Sequence, residues 1–256
     1  MDPKLDRSVT DEDPSFNSAT WVNEFSTLME DLNTKLLKAY GFSVAFGIQT
    51  TIKSIDETVI DKLKKAGLAG AYIGVESVDS RILKHMAATD KTGATDGTGN
   101  KFSRAIKILN ERGINVSCAT MVEPGCEDKA LETVSKLIQE SPPHEIFIEY
   151  RAVYPGTPDE KRVIAKAEGN SIKAVPSSYV IDCYNKGVFN GLSIPNPEDR
   201  TKVIVKTNLD GKLIVADPEE VKGLFQKFYT ELGKIANLFG YRKIVDGHYI
   251  KLFANS

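Results

Sequence analysis

Strand-like apolar runs alternate with amphipathic helical segments over the first 150 residues, and this alternation limits the fold more than any other feature. The clearest helical stripe places Trp21, Phe25, Leu28 and Leu32 at steps of three and four residues. Runs rich in β-branched and aromatic residues, typical of strands, lie at 42–48, 71–75, 116–122 and 145–150. Strands separated by single helices imply right-handed crossovers. We therefore expect an α/β fold with a parallel sheet.

Capping and breaking residues mark the ends of several predicted helices. Ser54 opens the sequence Ser-Ile-Asp-Glu, a capping-box pattern that predicts a helix start, and Gly67 predicts the end of that helix. Gly113 closes the next helical stripe, and Pro142 with Pro143 ends the one after it. This periodicity fits both a barrel and an open doubly wound sheet, so it leaves the two architectures open.

The pattern changes after about residue 160. Residues 201–207 and 212–216 flank Asn-Leu-Asp-Gly, which predicts a β-hairpin. One long amphipathic helix, with an apolar stripe that we expect to be buried, is predicted over 218–239, and a last strand near 248–253. We therefore divide the chain into residues 1–160, which carry the alternation, and residues 161–256, an appended α+β region.

Composition limits the classes of partner. The 33 Lys and Arg residues nearly balance 35 Asp and Glu residues, so nothing indicates nucleic-acid binding or attraction to an anionic membrane. No segment approaches the roughly 18 apolar residues that would span a bilayer. Cys118, Cys126 and Cys183 are few and irregularly spaced, which favours a reducing compartment over a disulfide framework. We expect a cytoplasmic protein.

Polar residues follow the predicted strands, at the ends where parallel α/β folds bind ligands. Glu76 and Ser77 come directly after an apolar strand, where they could grip a ribose or an amino-acid group. The simpler interpretation is that Ser77 caps the next helix and Glu76 is solvated. Tyr-Pro-Gly-Thr-Pro at 154–158 predicts a rigid turn.

Histidine is the side chain most often used as a base near neutral pH. His85, His144 and His248 are the three histidines of the chain. None of them has a visible partner in the sequence, so none is a strong candidate for a catalytic base.

Seven segments, in order, resemble successive parts of radical SAM enzymes. They are 11–17 (Asp-Glu-Asp-Pro-Ser-Phe-Asn), 54–56 before a helix ending in Lys-Ala-Gly, 73–77 (Ile-Gly-Val-Glu-Ser), 83–86 (Leu-Lys-His-Met), 101–113, 123–125 (Glu-Pro-Gly) and 154–158. The resemblance spans about residues 8–160, a little over half of the chain. It implies an α/β fold in which residues 1–160 form a partial parallel (β/α) barrel of the radical SAM type, followed by the appended C-terminal α+β element.

The resemblance also implies a cofactor and residues that contact it. Radical SAM enzymes hold a [4Fe-4S] cluster with cysteines spaced CxxxCxxC and cleave S-adenosylmethionine (SAM) reductively to a 5′-deoxyadenosyl radical. The residues that the resemblance places around SAM are Asp13, Gln49, Glu76, Ser77, Val122 and Tyr154. Asp13 is expected at the SAM amino group, and the backbone after Val122 and Tyr154 at adenine. Gln49, Glu76 and Ser77 are expected at the methionine or ribose groups.

This sequence departs from the family at the cluster motif, because it contains no CxxxCxxC. Cluster iron requires converging thiolates, whereas Cys118 and Cys126 are eight residues apart and Cys183 lies in the appended region. Buried free thiols are the expected role. Residues 11–16 resemble the end of the family's second strand, so we expect the chain to begin after the cluster loop. The incomplete barrel would then expose Val44, Phe46 and Ile73 to water.

We interpret the chain as a fragment, split subunit or degenerate member of the radical SAM enzymes, with an unknown substrate. A [4Fe-4S] cluster is expected only if a complementary N-terminal segment or subunit supplies the cysteines. Cobalamin is a further candidate cofactor, since radical SAM enzymes with a cobalamin domain have a segment similar in sequence to residues 11–16. The alternative is a non-catalytic binding or assembly subunit that uses the half-barrel as a scaffold and the 218–239 helix to engage a partner. An unrelated barrel enzyme working with carboxylates at strand ends also stays open.

Overall fold

The computed structural model describes residues 10–11, 19–85, 100–123, 125–150, 161, 193–195, 203–205, 214–216 and 218–252. Strands and helices alternate in its first part: β1 (Thr10–Asp11), α1 (Ala19–Tyr40), β2 (Phe46–Thr50), α2 (Glu57–Ala66), β3 (Leu68–Glu76), α3 (Ser80–His85), α4 (Asn100–Glu111), β4 (Asn115–Val122), α5 (Glu127–Glu140) and β5 (Glu145–Tyr150). The second part contains β6 (Ser193–Pro195), β7 (Val203–Val205), β8 (Ile214–Ala216), α6 (Pro218–Leu238), β9 (Tyr241–Val245) and β10 (His248–Lys251).

The main sheet has seven strands in the order β1-β2-β3-β4-β5-β10-β9. β1 to β5 are parallel and follow the order of the chain, whereas β10 is antiparallel to β5 and β9. Right-handed crossovers between strands in sequential order place the connecting helices on one side of the sheet. A doubly wound sheet instead reverses its strand order and carries helices on both sides. The parallel sheet is confirmed, and its strand order is that of a barrel-type sheet.

Burial alternates along the strands and distinguishes the two sides of the sheet. Every second side chain of β2 to β5 packs into the core with the helices. We call the other side the inner face; its side chains from these four strands and β10 are Gln49, Tyr72, Asn115, Ser117, Met121, Glu145, Phe147, Glu149, His248 and Ile250, interspersed with glycine and alanine.

The expectation that Phe46 and Ile73 face water is wrong. Phe46 is 4% exposed and Ile73 is fully buried, because both belong to the set of side chains that points toward the helices. Phe46 makes an edge-on ring contact with Phe25 of α1, with centroids 5.1 Å apart. Val44, which precedes β2, is half-buried.

Helix α2 begins later than the capping-box pattern predicts. Asp56 is its N-cap, and one carboxylate oxygen accepts hydrogen bonds from the amides of Thr58 (2.9 Å) and Val59 (3.3 Å). Ser54 instead ends a short 3-10 turn, Ile52–Ser54. Gly67 ends α2 as predicted, with φ of +114°; a Cβ there would crowd the carbonyl oxygen of Val44 at 2.7 Å.

Other boundaries were predicted with mixed accuracy. β5 matches its predicted range, and β7 and β8 form the antiparallel hairpin expected around 201–216. β2 starts four residues later than predicted, and β3 extends beyond 71–75 at both ends. β6 and β9 were not predicted.

Helix α6 packs beside α5 on the helix side of the sheet. Phe228 is 3% exposed and Leu232 is fully buried, in a cluster with Val134 of α5 and Ile146 of β5. The predicted burial of the α6 stripe is confirmed for these residues. Leu224 does not follow the predicted burial, because 41% of its surface is exposed.

The β9-β10 hairpin extends the parallel sheet. The amide of Ile148 donates to the carbonyl oxygen of Gly247 (2.7 Å), and the Tyr241 hydroxyl donates to the carbonyl oxygen of Pro143 (2.6 Å). Part of the region after residue 160 therefore shares one sheet with β5.

Among the helices in the described ranges, none combines the length and apolar character needed to cross a bilayer.

Candidate functional site

The carboxyl ends of β2, β3 and β4 lie along one edge of the sheet. Gln49 is the penultimate residue of β2, Glu76 is the last residue of β3, and Val122 is the last residue of β4. Ligands of parallel sheets bind outside such ends. The structure therefore places these residues and Ser77 along the same edge, whereas Asp13 and Tyr154 lie outside the described residues.

Glu76 has an unusual backbone conformation for a side-chain-bearing residue. Its φ is +60°, the only positive φ at a non-glycine residue in the described ranges. The strand is irregular there, since Gly74 pairs with Ala119 but Glu76 pairs with Thr120. A left-handed conformation at such a residue costs on the order of 1–3 kcal/mol and persists only where the surroundings enforce it. Strain of this kind is concentrated at ligand sites, which makes Glu76 the leading site residue.

The charge of Glu76 acts on the inner face. The pKa of the Tyr72 hydroxyl is raised, first by burial and then by the negative charges of Glu76 and Glu149. Two carboxylates therefore lie close enough to Tyr72 to disfavour its ionisation. Glu76 and Glu149 therefore place negative charge on the part of the inner face around Tyr72.

Ser77 orders the loop that follows Glu76. It is 2% exposed, and its hydroxyl oxygen accepts a hydrogen bond from the amide of Asp79 (3.0 Å). Asp79, rather than Ser77, caps α3 through the amides of its first turn. The amide of Val78 donates to the hydroxyl oxygen of Thr133 in α5 (3.3 Å). The Ser77 hydroxyl can still donate its own hydrogen to a ligand.

Val122 can meet a ligand only through its main chain. Its side chain is fully buried on the helix side of β4. Glu123, the next residue, is 1% exposed, and its carbonyl oxygen accepts a hydrogen bond from the amide of Cys126 (2.9 Å). The adenine contact that is expected after Val122 stays a prediction.

The described cysteines do not fit a [4Fe-4S] site. Cys118 is fully buried in the core between β4 and the helices, and burial raises the pKa of its thiol to about 12, which disfavours the thiolate that iron requires. Cys126 precedes α5 at the carboxyl edge, and burial followed by the charge of Glu123 raises its pKa. In the described part of the chain, no group of three His, Cys, Asp or Glu side chains could hold a metal. Cys183 lies outside that part.

The histidines differ in their distance from the carboxyl edge. His144 lies at the amino ends of the strands, where its amide donates to the carbonyl oxygen of Val116 (2.8 Å) and its Nδ1 accepts from the amide of Val116 (3.1 Å). His144 thus has a structural role. His248 lies on the inner face, stacked on Phe147 with ring centroids 4.4 Å apart. The side chain of His85 is outside the described ones.

Sequence reasoning missed the inner-face residues Tyr72, Phe147 and Glu149. The signal was present in the run Glu-Ile-Phe-Ile-Glu-Tyr at 145–150, whose polar and apolar residues alternate. Period-two alternation places Glu145, Phe147 and Glu149 on one side of a strand. Which side faced the helices could not be told from the strand alone.

Solved structures with a similar fold include radical SAM enzymes. Coproporphyrinogen III oxidase (HemN) from Escherichia coli, described as a radical SAM enzyme, matches 93% of this chain at a TM-score of 0.52 and 13% identity. The radical SAM methyltransferase TsrM from Kitasatospora setae, solved with cobalamin and a [4Fe-4S] cluster, matches 65% of this chain and 30% of its own, at a TM-score of 0.49 and 16% identity. The archaeal Elp3 from Methanocaldococcus infernus matches 59% of this chain and 38% of its own, at a TM-score of 0.40 and 18% identity.

No protein-family model and no curated protein matches the sequence. The chain spans 42% of the length of HemN, and at this identity the similarity concerns the fold. The chain has the fold of a radical SAM core domain. The predicted partial parallel (β/α) barrel of the radical SAM type is therefore confirmed, with a sheet that is open in the part the structure describes.

Proposed function

We propose that this chain is a SAM-binding half-barrel of a radical SAM enzyme, as a fragment, split subunit or degenerate member, which takes part in SAM-dependent radical chemistry on an unknown substrate in the cytoplasm. One observation carries the proposal. Glu76 adopts a strained conformation at the carboxyl edge of a parallel sheet whose strands follow one another in chain order.

The residues at this edge offer the groups that SAM requires. The Glu76 carboxylate can accept hydrogen bonds from the ribose hydroxyls or the ammonium group, and such charge-assisted bonds are the stronger ones. The exposed Gln49 amide offers both a donor and an acceptor for the methionine carboxylate and amine. SAM itself supplies the adenosyl and methyl groups. Cobalamin stays a candidate from the resemblance of residues 11–16, of which the structure describes only Asp11.

Calorimetric titration of the chain with SAM tests the proposal. Glu76→Gln keeps the shape of the side chain and removes its charge, so we expect SAM affinity to fall about tenfold or more. Glu111→Gln is the matched control, because Glu111 is an exposed carboxylate at the end of α4. Absence of SAM binding by the unmodified chain, or equal binding by Glu76→Gln, would contradict the proposal.

The variant Glu76→Gly distinguishes a role of Glu76 in SAM binding from a role in folding. Glycine adopts positive φ without steric cost, so this variant should lose SAM affinity while its melting temperature stays the same or rises. A strongly destabilised Glu76→Gly with unchanged SAM affinity would assign Glu76 to folding alone.

We further propose that a complementary N-terminal segment or subunit supplies the cluster cysteines. Support comes from α1, whose Asn23 side chain accepts a hydrogen bond from Lys62 of α2 (2.7 Å) and so marks the flank that α2 covers. At 3.6 residues per turn, Leu28 and Leu32 lie about 140° and 180° around the helix from Asn23. They are 69% and 42% exposed. This apolar flank of α1 is turned away from α2 and is available to a further helix.

Reconstitution tests the origin of the cysteines. The chain alone, treated anaerobically with iron and sulfide, should retain no stoichiometric cluster by iron analysis and visible spectroscopy. A stable brown protein with about four irons per chain, lost in Cys126→Ala, would show that the chain supplies its own ligands.

A non-catalytic binding or assembly subunit is the second candidate, favoured by the burial of Cys118 in the core. Helix α6 is a poor docking element for it, since Phe228 and Leu232 are already used in the chain's own core. The apolar flank of α1 is the better one. SAM titration discriminates the two candidates, because an assembly subunit has no need to bind SAM.

A further inference from the structure

The inner face carries a negative charge in its parallel part. Strands β2 to β5 contain three glutamates, Glu76, Glu145 and Glu149, and no lysine or arginine. Glu145 and Glu149 lie on the inner face, and Glu76 lies at its rim. Beyond β5, the lysines and arginines of the sheet are Lys251 of β10 and Arg242 and Lys243 of β9, and the Nε2 of His248 lies 4.0 Å from a carboxylate oxygen of Glu145. A ligand on this surface is therefore expected to be cationic.

Small residues lie side by side on this face, and we call them the floor. Gly74 of β3 pairs with Ala119 of β4, and Ala119 pairs with Phe147 of β5. Neighbouring strands are about 4.8 Å apart, so the floor is about one aromatic ring wide. Both Gly74 and Ala119 are half-buried. Neither residue has a side chain larger than a methyl group, so no bulky side chain of the floor itself would keep a flat group from the backbone.

Aromatic side chains bound this floor on two sides. Phe147 is fixed by parallel stacking on His248, with an interplanar angle of 17°. Tyr72, in the adjacent row, has its ring centroid 6.0 Å from that of Phe147. Tyr72 pairs with Ser117, whose hydroxyl donates to the Glu145 carboxylate (2.7 Å). We call this floor and these walls together the notch; beyond it, β3 and β5 continue to Glu76 and Glu149 near the carboxyl edge.

Glu149 follows Phe147 on the inner face, one row of side chains nearer the carboxyl edge. Glu149 pairs with Met121 across the sheet and is exposed. The raised pKa of Tyr72 reports that the charges of Glu149 and Glu76 reach into the notch. An amine on a short chain attached to a ring that packs against Phe147 could therefore reach the Glu149 carboxylate.

We propose that this notch, formed by Tyr72, Gly74, Ala119, Phe147 and Glu149, is the substrate subsite, and that it takes a small aromatic ring bearing a protonated amine. The ring lies on Gly74 and Ala119 against Phe147, and the ammonium group pairs with Glu149. The inference rests on the proposed function, in which SAM binds at Glu76, next to the notch.

Three matched probes test the class of ligand by ligand-observed NMR titration of the full chain. 2-Phenylethylamine carries both features, 3-phenylpropionate keeps the ring with the opposite charge, and hexylamine keeps the charge without the ring. We expect 2-phenylethylamine to bind at least fivefold more tightly than either of the others. Equal binding of all three probes, or preference for the carboxylate, would overturn the proposal.

Substitutions in the notch test where 2-phenylethylamine binds. Glu149→Gln and Phe147→Leu should each weaken 2-phenylethylamine binding about two- to fivefold, the range for one exposed ion pair or one ring contact. Ala119→Leu fills the floor and should abolish binding, and circular dichroism confirms that each variant is folded. Glu111→Gln is the control and should leave binding unchanged. Unaltered binding in both Glu149→Gln and Phe147→Leu would place the ligand elsewhere and overturn the proposal.

SAM titration keeps this inference distinct from the proposed function. Glu149→Gln and Phe147→Leu should bind SAM as the unmodified chain does, whereas Glu76→Gln should not. Loss of the amine preference with SAM binding intact overturns only the substrate assignment. Failure to bind SAM, with the amine preference intact, overturns the proposed function instead.

Discussion

His144 joins the amino ends of β4 and β5 through both its main chain and its ring. Its Nδ1 accepts the amide hydrogen of Val116 at 3.1 Å, and its carbonyl oxygen accepts the amide of Lys251 at 2.9 Å. Protonation of Nδ1 would turn this acceptor into a donor facing another donor. Burial first, and then the charge of Lys251, lower the pKa of His144, while Glu145 opposes them. The neutral ring is therefore part of the folded structure.

His144 should make stability depend on pH. Because its pKa is lower in the folded than in the unfolded state, the unfolded state binds more protons as the pH falls below the ordinary value of 6.5. The stabilising contribution is present above pH 6.5 and is lost as the pH falls toward the folded pKa. His144→Asn keeps an acceptor and removes the titration, so it should flatten this part of the pH profile in urea unfolding. An identical slope in the variant would assign the pH dependence to other groups.

Helix α2 shows how a cap can be displaced from its predicted position. Asp56→Ala removes the acceptor for two first-turn amides and should cost about 1 kcal/mol of unfolding free energy. Ser54→Ala is the matched control, since the Ser54 hydroxyl bonds to that of Thr51 at 3.3 Å, whereas the first-turn amides of α2 bond to Asp56. We expect it to be nearly neutral in urea unfolding. A larger loss for Ser54→Ala than for Asp56→Ala would restore the capping box predicted from the sequence.

Phe228 is one of the large side chains that attach helix α6 to the sheet. Phe228 makes edge-on contacts with the rings of Tyr150 (5.4 Å) and Tyr229 (5.2 Å). Phe228→Ala should cost about 3–5 kcal/mol, because it leaves a cavity among these rings. Leu238→Ala removes a side chain that is 79% exposed and should change the urea midpoint little. Comparable midpoints for the two variants would argue that α6 is not anchored at Phe228.

At the scale of the whole molecule, the C-terminal hairpin completes the sheet beyond β5. Its turn approaches β5 closely, since Gly247 has φ of +81° and its carbonyl oxygen accepts the amide of Ile148. A Cβ at Gly247 would collide with the carbonyl oxygen of Ile148. The junction therefore requires glycine, for space as well as for conformation.

Gly247→Ala should loosen the hairpin from the parallel strands. The substitution combines a positive φ with a backbone collision, and we expect a loss of more than about 2 kcal/mol in unfolding free energy. Gly223→Ala is the control, because a Cβ at Gly223 in α6 meets nothing within 4 Å; it should stabilise the helix by roughly 0.5–1 kcal/mol. Hydrogen exchange at the Ile148 amide measures the local effect. Unchanged protection there would mean that the hairpin is not held through this turn.

The sequence by itself determined the α/β class, the range of β5 and the buried stripe of α6 around Phe228 and Leu232. These features depend on periodicity within one segment, because a helix or a strand repeats its buried positions locally. The sequence also placed Glu76 and Ser77 after a strand. Its resemblance to radical SAM enzymes indicated the barrel type, and the structural similarity to HemN confirmed this fold.

Tertiary structure alone decided the order of the strands and the side that each strand turns to the helices. Phe46 and Ile73 point into the core, whereas Tyr72 and Phe147 occupy the inner face, although all four lie in similar apolar runs. The φ of +60° at Glu76 and the pairing of β10 with β5 likewise depend on neighbours distant in the chain. Strand pairing and packing bring together segments up to about a hundred residues apart in the chain, so no local pattern contains them.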